Sequence, residues 1–258
     1  MYKLFDLTGQ TAIITGAGKG LGESFAHALA ASGANLFLIS RTGSELEKVC
    51  EDIRKEHGTR CEYQVADVTD EEQVKSAIDK CIEIYGKIEI LINGAAAMRH
   101  NKTPEETTSD MYRKVLEPNI LGLYNMCREV GKHMIEAKYG RIVNMSSLSA
   151  IVVNRGVHGG EYEVSKAAVS MLTKTLATEW AQYGINVNAI APGYFGTQPN
   201  LDFFAADPEF LPKVLEMIPM GRIAQPEELW GTLILLCSPA ASYMQGSIIS
   251  VDGGYTSW

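Results

Sequence analysis

The chain of 258 residues has little of what marks several large protein classes. Cysteine is scarce: Cys50, Cys61, Cys81, Cys127 and Cys237 are scattered, odd in number and form no CxxC pair. That argues against a disulfide framework or a cysteine-based metal site and fits a reducing cytoplasm. The histidines His27, His57, His100, His133 and His158 show no paired ligand spacing, so no metal is expected. Positive charge is in deficit, with 23 Lys and Arg against 31 Asp and Glu and a formal net charge of −8. Such a chain offers no electrostatic footprint for nucleic acid or an anionic membrane. No apolar run approaches the roughly 20 residues needed to span a bilayer. Met1–Asp6 also lacks the charged-then-apolar order of a signal peptide. The expectation is a soluble, cytoplasmic protein with neither nucleic acid nor membrane as partner.

What is present is a regular alternation. Short apolar, β-rich runs occur at Thr11–Thr15, Asn35–Ser40, Arg60–Val65, Ile88–Asn93, Arg141–Ser146, Ile185–Ile190 and Ser247–Val251. Near-continuous apolarity marks strands buried on both faces. Helix-like stretches separate them; after the first run, Leu21, Phe25, Ala28 and Leu29 recur at helical spacing and Gly33 ends the pattern. Seven strands alternating with helices predict an α/β fold, a parallel sheet covered on both faces. No linker, repeat or low-complexity stretch divides the chain, so residues 1–258 read as one domain. The segment 192–222 is the least regular; it concentrates prolines and carries Phe203, Phe204 and Phe210. Long irregular segments in compact domains often act as lids over a site. Its other reading is a surface excursion with a small core of its own.

The first strand runs into Thr15-Gly-Ala-Gly-Lys-Gly-Leu-Gly22, and a helix follows. Glycines let a backbone turn tightly and approach a pyrophosphate, and a helix N-terminus favours an anion. The spacing is not G-x-G-x-x-G, because Leu21 stands where the third glycine would be. It is Thr-Gly-x-x-x-Gly-x-Gly, on Gly16, Gly20 and Gly22. Gly18, Lys19 and Leu21 complete the candidate cofactor loop. The second strand ends Ile39-Ser40-Arg41, without the carboxylate that would accept from a ribose 2′-hydroxyl. Arg41, with Lys19 as a second cation, suits a 2′-phosphate, so NADP(H) is expected over NAD(H). Asp67 and Val68, after the third strand, are candidates at the adenine, although Asp67-Val-Thr-Asp70 also reads as a helix cap. Asn93-Gly-Ala-Ala96 ends the fourth strand with small residues that let backbone pass close to a cofactor.

Tyr162-Glu-Val-Ser-Lys166 opens a long helical pattern and puts Tyr162 and Lys166 on one face. A phenol titrates near 10, and a neighbouring ammonium stabilises its anion. Tyr162 is therefore a candidate general acid/base. Upstream, Asn144-Met-Ser-Ser147 ends a strand with a hydroxyl able to bond a reacting oxygen. Spacing alone is a weak signal here; its weight comes from the glycine loop and Ser147 together.

Jointly these motifs resemble the short-chain dehydrogenase/reductase family over essentially the whole chain. The resemblance implies a Rossmann-like, doubly wound sheet of seven parallel strands and assembly as a homotetramer. It implies a catalytic tetrad of Asn119 (in Pro118-Asn-Ile-Leu-Gly122), Ser147, Tyr162 and Lys166. Tyrosine would be the acid/base and lysine would also bind the nicotinamide ribose. Serine would orient the substrate oxygen, and asparagine would hold a relay water. Pro192, Gly193 and Thr197 resemble the segment that meets the nicotinamide carboxamide. Two departures stand out. The family's Asn-Asn-Ala-Gly is Asn93-Gly94-Ala95-Ala96 here, and the segment from Ser147 to Tyr162 is longer than common.

The Pro192-Gly-Tyr-Phe195 stretch and the ending Val251-Asp-Gly-Gly-Tyr-Thr-Ser-Trp258 look most like members acting on sugar acids, such as gluconate 5-dehydrogenases. Arg155 and His158, with Arg99 and His100, are polar candidates for the substrate, and an arginine suits a carboxylate. Each also reads as an ordinary solvated loop residue. The alternatives are a reductase of 3-oxoacyl or other apolar ketones and, in another class, a non-catalytic nicotinamide-binding regulator. The latter would be free to lose Tyr162 or Lys166, yet both stand with Ser147 and Asn119.

Overall fold

The structure, a computed structural model, describes residues 3–154 and 160–258. All seven apolar runs are strands: β1 Thr11–Thr15, β2 Asn35–Ser40, β3 Cys61–Val65, β4 Ile90–Asn93, β5 Gly140–Met145, β6 Ile185–Pro192 and β7 Ile248–Val251. They form one parallel sheet in the order β3-β2-β1-β4-β5-β6-β7. Every residue of β1 is buried, as is every residue of β5. Edges differ from the expectation by a residue or two. Arg60, Ile88, Glu89, Ser146 and Ser247 fall outside their strands, β5 starts at Gly140, and β6 continues to Pro192, paired with Val251. Strand ends depend on which backbone groups find a ladder partner, which apolarity does not encode.

The helices among the described residues are α1 Gly20–Ala31, α2 Gly43–His57, α3 Glu71–Tyr85, α4 Ser109–Leu116, α5 Leu123–Ala137, α6 Gly160–Trp180, α7 Gln198–Ala206, α8 Phe210–Met217 and α9 Trp230–Cys237. One core packs α1, α2 and α9 on one face of the sheet, through Phe25, Leu29, Leu46, Ile53 and Leu233. A second packs α3, α5 and α6 on the other, through Ile78, Met126, Val130, Val169 and Leu176. The chain is thus a doubly wound α/β fold. Local chemistry sets the helix ends. Asp70 accepts the N–H groups of Glu72 and Gln73 at 3.0 and 3.1 Å and caps α3, so the cap role belongs to Asp70 and not to Asp67. Beyond α1, Gly33 takes a left-handed φ of 91°, and its N–H reaches the Ala30 carbonyl at 2.9 Å.

The segment 192–222 is more ordered than expected. It contains α7 and α8, and Phe204, Phe210, Val214 and Ile218 form a third core with Leu148 and Tyr255. Its prolines misled because Pro199 lies in the first turn of α7, where no N–H partner is required. No helix among the described residues is long and apolar enough to cross a membrane.

Candidate active site

In an open parallel sheet the strand order reverses at one point, and a crevice opens there at the carboxyl ends. Here the reversal lies between β1 and β4. Thr15, ending β1, accepts the N–H groups of Gly94 and Ala95 at 3.1 Å each and so joins the two strand ends. The glycine loop then turns across the crevice. Gly16 has φ 68°, and a Cβ there would fall 2.8 Å from the Ala95 nitrogen. A Cβ on Gly22 would drive into the Gly16 carbonyl. A Cβ on Gly94 would lie 2.7 Å from the Thr15 carbonyl, so glycine at this departure from the family pattern matches a close backbone crossing. Gly20, at φ 63°, faces Thr197 across the crevice. The cradle fits a dinucleotide, since Gly16, Gly20 and Gly22 present no Cβ and let backbone approach a pyrophosphate at the N-terminus of α1.

The adenosine corner holds both predicted cations and one group the sequence reading missed. Arg41 is exposed at the end of β2. Lys19 pairs with Glu45 at 3.3 Å, with both side chains partly open to solvent. A Cβ on Gly18 would touch Glu45 Oε2 at 2.8 Å and Ser40 Oγ at 3.2 Å, so the carboxylate stands within this corner. It comes from α2, not from the strand end where a ribose acceptor is normally sought. Asp67 Oδ1 takes both the N–H and the hydroxyl of Thr69, and Val68 is buried against Gly122.

Asn93 and Asn144 form a buried polar bridge between β4 and β5, 2.9 Å long, which continues to Thr173. Asn119 lies in a π-helical turn, Glu117–Gly122, of the kind that often marks functional sites. Its amide is fully engaged: Oδ1 takes the Ala97 N–H at 2.6 Å, and Nδ2 donates to the Ala97 carbonyl and to Ser165. Gly193 closes on β7, where a Cβ would lie 2.7 Å from the Asp252 Cα, and Thr197 is buried just before α7.

Tyr162, Lys166 and Ser147 meet as the sequence implies. The Lys166 ammonium is 5.5 Å from the centre of the Tyr162 ring and donates to the Met145 carbonyl at 2.8 Å. Burial lowers its pKa from 10.5 to about 8. Burial raises the Tyr162 phenol; the Arg99 charge and the Ser147 hydrogen bond pull the other way without overcoming it. Arg99 lies 4.7 Å above the same ring and pairs with Glu163 at 2.6 Å. His100 is bound to Glu161, whose Oε1 takes the His100 N–H at 2.9 Å. Burial raises the Glu161 carboxyl, but the bonds from His100 outweigh it and the pKa is lowered. Arg155 and His158 lie outside the described residues.

Histidine spacing hid one meeting. His27 Nδ1 and His57 Nε2 are 3.2 Å apart, and Glu56 Oε2 is 3.4 Å from His27. A ring-to-ring hydrogen bond accounts for the contact, at the far end of α2 from the cofactor corner. Cys50 and Cys61 likewise touch as free, buried thiols 3.1 Å apart.

A phenol flanked by two cations, at the edge of a dinucleotide crevice, is suited to moving a proton while a nicotinamide moves a hydride. Fold and site together define a class, the nicotinamide-dependent oxidoreductases. A family model described as Enoyl-(Acyl carrier protein) reductase matches residues 16–256, and the chain belongs to the short-chain dehydrogenase/reductase family. It is 40% identical over 255 residues to a galactitol 2-dehydrogenase (L-tagatose-forming) of Cereibacter sphaeroides, covering 99% of this chain and 98% of that protein. It is 34% identical over 253 residues to a gluconate 5-dehydrogenase of Gluconobacter oxydans (strain 621H), covering 98% and 97%. A solved gluconate 5-dehydrogenase from Burkholderia cenocepacia J2315, in complex with NADP and tartrate, superposes with a TM-score of 0.93 at 33% identity, covering 99% of this chain and 98% of that one. The protein is an NAD(P)-dependent enzyme acting on CH–OH groups.

Proposed function

We propose that the protein interconverts a secondary alcohol and its ketone on a polyol, sugar or sugar acid, using NADP(H) in preference to NAD(H). The observation that carries this is the Tyr162 phenol, hydrogen-bonded to Ser147 and flanked by Lys166 and Arg99. The names of the galactitol and gluconate dehydrogenases supply the substrate class.

The bound nicotinamide supplies or accepts the hydride. Gly16, Gly18, Gly20, Leu21 and Gly22 would hold its pyrophosphate, Asp67, Val68 and Asn93 would line the adenosine path, and Pro192, Gly193 and Thr197 would meet the carboxamide. Ser147 orients the substrate oxygen. Tyr162 protonates that oxygen in reduction and takes its proton in oxidation. Lys166 holds the phenolate by charge and binds the nicotinamide ribose. Asn119 fixes the loop at Ala97 against α6 through its three bonds and anchors the relay that resupplies the proton. The segment 192–222 acts as a lid that excludes water. Arg41, unlike Lys19, stands outside the Lys19–Glu45 pair and is the group assigned to the 2′-phosphate. The enzyme works in the cytoplasm as a homotetramer.

The test is Tyr162→Phe in a spectrophotometric screen over hexitols, ketoses, sugar acids and apolar ketones. General acid/base catalysis accounts for about 10²–10⁴ in rate, and the variant is expected to lose at least that with cofactor affinity kept. Undiminished turnover would overturn the mechanism and favour a site without proton transfer.

A further inference from the structure

We propose that the Arg99–Glu163 ion pair makes this site select an uncharged polyol or ketose and reject a sugar acid, an inference that rests on the carbohydrate-dehydrogenase reading above. Of the two cations beside the Tyr162 phenol, neither is left for a substrate carboxylate. Lys166 donates to the Met145 carbonyl and is assigned above to the phenolate and the nicotinamide ribose. Arg99 gives one terminal nitrogen to Glu163 Oε1 at 2.6 Å and the other to Ser149 Oγ at 3.1 Å. Both members of the pair are largely withdrawn from water, with side-chain exposures of 13% and 12%, so their charges cancel locally. A substrate carboxylate brought beside this neutral pair would lose its hydration without gaining a free counter-ion, which is unfavourable.

Hydrogen-bond polarity points the same way. Glu163 Oε2 and Asn154 Oδ1 are buried and have no partner among the described residues. Asn154 donates to Ser149 Oγ at 2.7 Å, and the Ser149 N–H donates to Ser147 Oγ at 3.1 Å. Both orphaned acceptors are therefore connected through Ser149 to the serine that orients the reacting oxygen. They need donors. A hexitol offers a donor at every carbon, whereas gluconate replaces one terminal hydroxyl by a carboxylate that only accepts. An acceptor buried without a donor carries a desolvation cost, which a hydroxyl-bearing ligand removes on binding.

The experiment is steady-state kinetics of the purified protein with NADP+ and two probes of equal carbon number, galactitol and gluconate. The wild type is expected to prefer the hexitol in kcat/KM by at least about tenfold, a modest share of what desolvating an unpaired carboxylate costs. Glu163→Gln keeps the shape and frees the Arg99 charge. It should lower kcat/KM for the hexitol and raise that for gluconate by about tenfold, chiefly through KM. NADPH binding by fluorescence checks that the variant is folded. If it is not, gluconate as a competitor of hexitol oxidation by the wild type decides the matter: failure to inhibit supports the inference, and tight inhibition overturns it. A wild type that prefers gluconate, or a Glu163→Gln ratio that does not move, also overturns it. Turnover confined to apolar ketones would instead overturn the carbohydrate reading on which it depends.

Discussion

Lys166 carries its ammonium into a place where only 4% of the residue meets water. Its pKa falls from 10.5 to about 8 by burial, so charging it costs more in the fold than in the unfolded chain. A displacement of that size corresponds to about 3 kcal/mol. The penalty is present in full below pH 8 and fades as pH rises toward 10.5, where both states become neutral. Lys166→Met keeps the length and removes the charge, at the loss of one hydrogen bond to Met145 worth about 1 kcal/mol. The variant should be more stable than the wild type by about 2 kcal/mol at pH 7, with the gain shrinking by pH 10, while turnover is lost. Thermal unfolding at the two pH values checks this. A Tm that is unchanged or lower at pH 7 would show that the ammonium is not penalised by its surroundings. The same balance explains the phenol: burial raises Tyr162, and Arg99 opposes it, so the proposed acid/base is tuned by a residue that spacing within Tyr162–Lys166 does not reveal.

Among the elements, what was legible in the sequence and what was not divide along contact range. The seven strands show as apolar runs because a parallel sheet covered on both faces demands them. The glycine loop shows because its backbone constraints act between neighbours, as at Gly16 and Gly22. Helices α7 and α8 were missed because prolines that open a helix look, in sequence, like prolines that break one. Arg99 and Glu163 are 64 positions apart, and His27 and His57 are 30 apart, so no local pattern joins them. Glu45 belongs to the same class. It reaches this corner from α2 and pairs with Lys19, which is why a 2′-phosphate is proposed to fall to Arg41. Arg41→Ala should then lower kcat/KM for NADP by about 10–100-fold, the range of a lost charge-assisted contact, and leave NAD within a few-fold. Glu45→Gln should raise NADP preference, more at low salt than at high. Parallel losses for both cofactors in Arg41→Ala would place the 2′-phosphate elsewhere.

At the scale of the whole molecule, the surface carries apolar side chains that the three cores do not use. Leu121 is 56% exposed and Tyr124 40%, one helical turn apart where the π turn passes into α5; Val164 and Met171, on α6, are exposed at 50% and 61%. Val164 and Met171 are seven residues apart, two turns, and share one face of a helix whose other face packs on the sheet. Single exposed apolar residues need no explanation, but repeated ones at helical spacing on two elements are where the proposed subunit contact would fall. A contact there bears on the site as well, because α6 carries Tyr162, Glu163 and Lys166 on its first turns. Light scattering on the purified protein should return four times the chain mass. The double substitution Val164→Glu, Met171→Glu should dissociate it, since burying two carboxylates against a partner copy costs more than such a contact returns. Because α6 then loses its support, kcat/KM should fall with the assembly, and activity should recover as protein concentration is raised if residual association persists. A monomer in the wild type, or a double variant that stays tetrameric, would remove α6 from the interface.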